Sequence, residues 1–212
     1  IQRSRGLGDV YKRQDYAGNR HNAGFMAADA ISERHGFSGW KTKGSAQVSE
    51  GRIGGDKVII VKPQGFMNRS GGPVAEIARF YKIAPSEVFV FYDEIDLAPG
   101  RVRVKLGGGH GGHNGIRDID RHLGRDYWRV RIGVGRPEQV IPESRIDIRK
   151  WVLMDFMAQE RDGWLQTLLR AMADEAERLV AQDEGGFMSR VAYLAPAPKP
   201  PRAEDTENEE TS

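Results

Sequence analysis

Short apolar, β-branched runs alternate along this chain with segments of helical period, and that alternation restricts the fold more than any other feature. Val58–Val61, Val88–Tyr92 and Tyr127–Val134 read as buried strands, and Arg101–Leu106, alternating basic and apolar, as a half-exposed one. Between them, Asn22–Gly36, Gly72–Lys82 and Asn114–Leu123 read as helices. A longer one runs from about Gln159 to Gln182, with Leu165, Leu168, Leu169, Met172, Ala176, Leu179 and Val180 at 3, 4, 7 spacing. Strands interleaved with helices predict an α/β domain: a twisted mixed, mostly parallel sheet flanked by helices. The 212 residues suffice for one such domain with a tail.

Composition excludes some chemistries. With no cysteine, disulfides, thiolate metal sites and a Cys nucleophile are ruled out. No apolar run approaches the roughly 18–20 residues of a membrane span, and no signal peptide is recognisable, so the default expectation is a cytoplasmic protein without a membrane partner. The net charge of +2 conceals an asymmetry: residues 101–150 carry twelve Lys/Arg against six Asp/Glu. Such a basic half suits a polyanion, although an ordinary solvated surface looks the same. Residues 193–212, rich in Pro and acid, read as a disordered tail.

Polar clusters fall at strand ends and helix starts, where α/β folds place their sites. They are Asn19-Arg20-His21-Asn22, Phe66-Met67-Asn68-Arg69-Ser70-Gly71-Gly72 and Tyr92-Asp93-Glu94-Ile95-Asp96. A fourth segment, Lys105 to Gly115, reads KLGGGHGGHNG. Its glycines permit close backbone approach to a ligand, and a helix starting at Asn114 would aim free N–H groups at it; a flexible turn is an equal reading. It fits neither a P-loop nor a dinucleotide fingerprint. Of five histidines, His35 and His122 read as structural. Pairing His21 with Asp93 would give an oriented general base and a partner for a carboxylate at a buried strand end, but spacing alone does not establish the pair. No Gly-x-Ser-x-Gly elbow supports a serine esterase.

Together the segments resemble bacterial peptidyl-tRNA hydrolase. The runs that carry the resemblance are Tyr16-x-x-x-Arg20-His21-Asn22-x-Gly24, Phe66-Met67-Asn68-x-Ser70-Gly71, Asp93-Glu94-x-Asp96-x-x-x-Gly100, Gly107 to Gly115, and Arg131-Ile132-Gly133-Val134-Gly135-Arg136-Pro137. They occur in order across a domain expected at 15–192. The resemblance implies a monomer with no cofactor or metal, acting on peptidyl-tRNA at its acceptor stem and 3′ end. It implies that His21 activates water, that Asp93 orients it, and that Asn68 and Asn114 hold substrate and stabilise the oxyanion. By the same resemblance His113 lines the site, Lys105 and Arg131 meet the acceptor end from one side, and Tyr16 and Met67 form cleft walls. Val140–Met157 is expected to edge the cleft as a mobile lid.

The start departs from the family, which opens with an apolar strand and a Gly-Leu-Gly-Asn-Pro-Gly turn. Here Gly6-Leu7-Gly8-Asp9-Val10-Tyr11 places Tyr11 where the family's Asn stands. Residues 1–14 therefore read as an aberrant segment unable to form a buried central strand, which would leave a gap in the sheet or an exposed flank beside Val88–Tyr92. This departure keeps a rival open, a non-catalytic RNA-binding module of the same fold.

Overall fold

Two glycines set the first strand pair. Gly54 and Gly55 both take positive φ, 58° and 90°, the backbone that a two-residue hairpin turn demands. They join β2 (Ala46–Ile53) to β3 (Asp56–Pro63) in an antiparallel ladder, and β1 (Lys41–Lys43) adds to the other edge of β2. The structure, a computed structural model, describes residues 18–199. Sequence reading finds only the centre of β3. The strand β2 eludes it because its buried positions include Ala46 and Ser49, which are too small or polar to show as an apolar alternation.

The second sheet positions the site. It comprises β4 (Phe89–Glu94), β5 (Val102–Leu106) and β6 (Trp128–Gly133) in the order β4-β6-β5. β4 and β6 run parallel, so the chain must cross over between them, and it does so through β5 and the helix α3 (Asn114–Leu123). β5 pairs antiparallel with β6. The sheet is mixed, as expected. The expected predominance of parallel pairing is corrected: among the described residues only β4–β6 is parallel, and the strands form two three-stranded sheets.

Helix α1 (Ala23–Arg34) lies on β4 at very close range. A Cβ on Gly24 would stand 2.1 Å from the Phe91 carbonyl oxygen, so only glycine allows this approach. Helix α2 (Gly71–Tyr81) covers the first sheet through Ile77 against Ala46 and Val48. The main core joins α1, β5 and β6 to the C-terminal helices, with Val130, Ile132, Leu168, Met172 and Phe187 all at 1% exposure or less. Each such side chain contributes about 1.5–3 kcal/mol on burial.

The C-terminal half differs from expectation. The apolar stripe over 159–182 is real, but it does not follow one rod. After short helices α4 (Pro137–Val140), α5 (Ile148–Val152) and α6 (Ala158–Glu160), the chain passes through a π-helical stretch, Arg161–Leu165, in which Gly163 leaves helical geometry. Then follow α7 (Gln166–Asp174) and α8 (Ala176–Val180), separated at Glu175. The break lets Glu175 reach both Arg178 and Arg190. A further helix, α9 (Glu184–Leu194), was not foreseen, and it carries Phe187, Val191 and the following Ala195 into the core. Residues 193–195 are thus part of the fold and not of a tail, while the acidic stretch beyond 199 and the N-terminal segment 1–14 lie outside the described residues.

Among the described residues β3 and β4 each have a strand neighbour on one side only. Between them lies an apolar cavity of ≈ 260 Å³, walled by Val58, Ile60, Val88, Val90, Phe91, Ala28 and Ile77. A gap in the sheet or an exposed flank beside Val88–Tyr92 was expected. No helix among the described residues is long and apolar enough to cross a membrane.

Candidate active site

One end of that cavity is polar, and three elements meet there. A 3-10 turn, Arg20–Asn22, supplies His21 just before α1; the end of β4 supplies Asp93; the residue capping α3 is His113. His21 Nδ1 lies 2.8 Å from Asp93 Oδ1, and His113 Nε2 lies 3.0 Å from the same oxygen. The rings are 4.8 Å apart between centroids.

Asp93 is almost wholly buried, and a buried carboxylate is costly unless it is paired. Burial pushes its carboxyl upward, but the charges and hydrogen bonds of His113 and His21 overcome this and hold it well below the usual carboxylate range. Asp93 is therefore an anion and can only accept, so His21 Nδ1 carries a proton and donates it. Burial pulls the His21 imidazole down; the hydrogen bond and charge of Asp93 outweigh that and leave it above the ordinary histidine value.

The segment behind His21 is fastened by a buried cation that sequence reading overlooked. Arg20 is fully buried, stacks 3.5 Å over Trp151, pairs with Glu160 and donates to the Asp155 carbonyl at 2.5 Å. Its own N–H reaches the Met154 carbonyl at 3.1 Å, and Phe156 N–H reaches that of Gly18 at 3.0 Å. Burial lowers Arg20 and raises Glu160, outweighing the mutual attraction that acts the other way on each. The second half of the expected lid is thus an anchor: Trp151 and Phe156 are core residues, and Trp151 Nε1–H donates to the Gly135 carbonyl. The only signal in sequence was an Arg beside the His.

The glycine-rich segment is held at its base and open at its tip. Arg129, fully buried, donates to the carbonyls of Gly107 (2.8 Å) and Gly108 (3.0 Å) and to Asp120 (2.7 Å). Tyr127 completes the cluster by donating to Asp120. Gly108, Gly109, Gly111 and Gly112 are exposed. Ladder register places Arg103, Lys105, Arg129 and Arg131 on one face, which is also the face of Tyr92. Lys105 is exposed, whereas Arg131 makes a two-nitrogen contact with Glu94 at 2.8 and 3.0 Å.

Of the remaining expected residues, Asn68 lies exposed in a 3-10 turn, Met67–Arg69, that packs against α3, and Asn114 is the exposed first residue of α3. Met67 faces Gly115 and lines the cavity with His21. Tyr16 lies outside the described residues. His35 caps α1 and contacts the Ala173 carbonyl, a structural role, and His122 binds back to Asp118 on its own helix. His21, Asp93 and His113 present metal-ligand types of atom within 4.8 Å, but both ring nitrogens that face Asp93 are engaged with its oxygen.

Comparison with known proteins shows the family. The family model described as peptidyl-tRNA hydrolase matches residues 6–199. The chain belongs to the peptidyl-tRNA hydrolase family. It is 54% identical over 177 residues to the peptidyl-tRNA hydrolase of Chelativorans sp. (strain BNC1), covering 84% of this chain and 72% of that one. With that of Rhodospirillum centenum it shares 50% over 192 residues, 91% of this chain and 80% of the relative. The crystal structure of peptidyl-tRNA hydrolase from Acinetobacter baumannii superposes with a TM-score of 0.76 at 34% identity, covering 86% of this chain and 90% of that one. The family match reaches beyond the expected 15–192 on both sides. It includes the whole of α9, which packs on the sheet.

Proposed function

We propose that this chain hydrolyses the ester between a peptide and the 3′-terminal ribose of its tRNA, with His21 as general base. The observation that carries this is the His21–Asp93 pair at 2.8 Å. Because Nδ1 donates to Asp93, the lone pair of His21 lies on Nε2, free to take a proton from water. The water oxygen attacks the ester carbonyl as its proton moves to Nε2, and Asp93 steadies the imidazolium so formed. When the bond from carbon to the ribose oxygen breaks, that proton passes to the leaving oxygen. The products are a free peptide and a tRNA with its terminal hydroxyl restored.

Side-chain amides of Asn68 and Asn114 meet the oxyanion in this reading; losing one such donor typically lowers the rate about 10²–10³-fold. Met67 and Tyr16 form walls, and exposed Lys105 binds acceptor-stem phosphate, an attraction that salt weakens. Arg131 serves less directly, since Glu94 already satisfies it. The same reading makes the protein a cytoplasmic monomer that frees tRNA from stalled peptides, checked by sedimentation and by fractionation. A non-catalytic RNA-binding role gives the His21–Asp93 pair nothing to do.

The test is turnover of N-acetyl-aminoacyl-tRNA. His21→Ala should lower kcat by about 10²–10⁴-fold, the usual contribution of a general base. A His21→Ala chain that turns over within a few-fold of the parent would end the proposal.

A further inference from the structure

His113 uses both of its ring nitrogens. Nδ1 lies 3.2 Å from the backbone nitrogen of Ile116 and accepts its N–H, capping the first turn of α3. A nitrogen that accepts carries no proton, so in the neutral ring the proton is on Nε2, 3.0 Å from Asp93 Oδ1. That oxygen also takes His21 Nδ1–H at 2.8 Å. One carboxylate oxygen therefore serves two imidazole donors. The His113 ring has little freedom to leave: Tyr92 meets it edge-on at 5.2 Å, and Gly115 packs beside its Cε1.

We propose that His113 is a positioning residue that shares Asp93 Oδ1 with His21 and so sets the pH at which His21 becomes a base. This rests on His21 being the base. Two donors on one oxygen compete, because each draws electron density from the other's bond. Asp93 thus stabilises the His21 imidazolium less than it would alone, and the base stays deprotonated to lower pH. Other charges nearby are engaged elsewhere: Arg20 of the same turn with Glu160, Glu94 of β4 with Arg131, and Asp118 of α3 with Gly71 N–H and His122. The charged group acting on His21 is Asp93, and the groups that hydrogen-bond Asp93 are the His113 and His21 rings.

Two substitutions separate the two nitrogens. In His113→Asn the amide oxygen takes the place of Nδ1 and keeps the cap, but nothing reaches Asp93. In His113→Gln the longer amide N–H₂ reaches toward Asp93, and the cap is lost. The acid limb of kcat/KM should move up by about half a pH unit or more in His113→Asn. It should return toward the parent value in His113→Gln, whose melting temperature falls instead. NMR titration of the His21 ring in parent and His113→Asn gives the same shift directly, independent of turnover. An acid limb and a His21 titration that stay put in His113→Asn, or move down, overturn the proposal, whatever happens to kcat. His21→Ala run in parallel keeps the two ideas apart. If it is active, the base assignment fails; if it is inactive while His113→Asn leaves the limb unmoved, only the role of His113 falls.

Discussion

Replacing Asp93 with Asn tests the electrostatics of the site with little change of shape. The amide oxygen can still accept from His21 Nδ1 and His113 Nε2, now at 2.8 and 3.0 Å, so what is lost is charge. With charge centres about 4 Å apart and an effective dielectric of about 20, the attraction between Asp93 and a His21 imidazolium is about 4 kcal/mol. If most of it is expressed as the proton arrives from water, kcat drops by about 10²–10³-fold, at about 1.4 kcal/mol per tenfold. The pH profile moves too. In the parent, His21 lies above its ordinary value of about 6.5, so kcat/KM rises through a pH above that point. In Asp93→Asn the burial that pulls His21 down is opposed by a neutral hydrogen bond and no longer by a charge, and the limb moves to lower pH. Stability follows by linkage. The Asp93 contribution is present above about pH 4 and lost as pH falls through its depressed folded value; that of His21 is complete below about pH 6.5 and lost as pH rises through its raised one. The melting-temperature gap between the two proteins is then widest between about pH 4 and 6.5. The assay is single-turnover hydrolysis of N-acetyl-aminoacyl-tRNA from pH 5 to 9, with thermal melts in the same buffers. An Asp93→Asn protein with kcat within about threefold of the parent and an unmoved acid limb would refute the reasoning.

Glu160→Gln should destabilise by about 3–5 kcal/mol in chemical denaturation, since it leaves Arg20 buried beside a neutral partner; a loss under about 1 kcal/mol would contradict the description of that pair. Lys105→Ala should raise KM more than it lowers kcat and flatten the salt dependence of KM, while Arg131→Ala, whose charge Glu94 already meets, should change that dependence less; equal salt slopes in all three proteins would remove Lys105 from the phosphate contact. Gly24→Ala should destabilise by at least about 1–3 kcal/mol, read as a lowered melting temperature, because its methyl would meet the Phe91 carbonyl oxygen at 2.1 Å; an unchanged melting temperature would mean that α1 can lift from β4 at no cost.

The sequence by itself marked several local elements and the candidate groups of the site. Helix α3 begins and ends where its spacing places it, at Asn114 and Leu123, because an amphipathic pattern ending before Gly124 needs no distant contact to be read. Phe89–Tyr92 of the apolar run Val88–Tyr92 falls in β4, because a short apolar run bounded by polar residues reads as a strand before any partner is known. His21, Asp93, Asn68 and Asn114 were legible through their flanking motifs.

Tertiary structure decided the rest. That β2 is a strand depends on β3 and the glycine turn, and the contact of Glu175 with Arg190 on the packing of α9 beside α7 and α8; neither leaves a periodic trace. Arg20 looks like a surface residue in sequence, and only the approach of residues 151–160 makes it a buried brace behind His21. His113 and Asp93 are 20 residues apart, and their contact exists because β4 ends where α3 begins, on opposite sides of one cleft. A sequence specifies which groups are present; whether two donors share one oxygen is fixed by distances of a few tenths of an ångström, which packing alone sets.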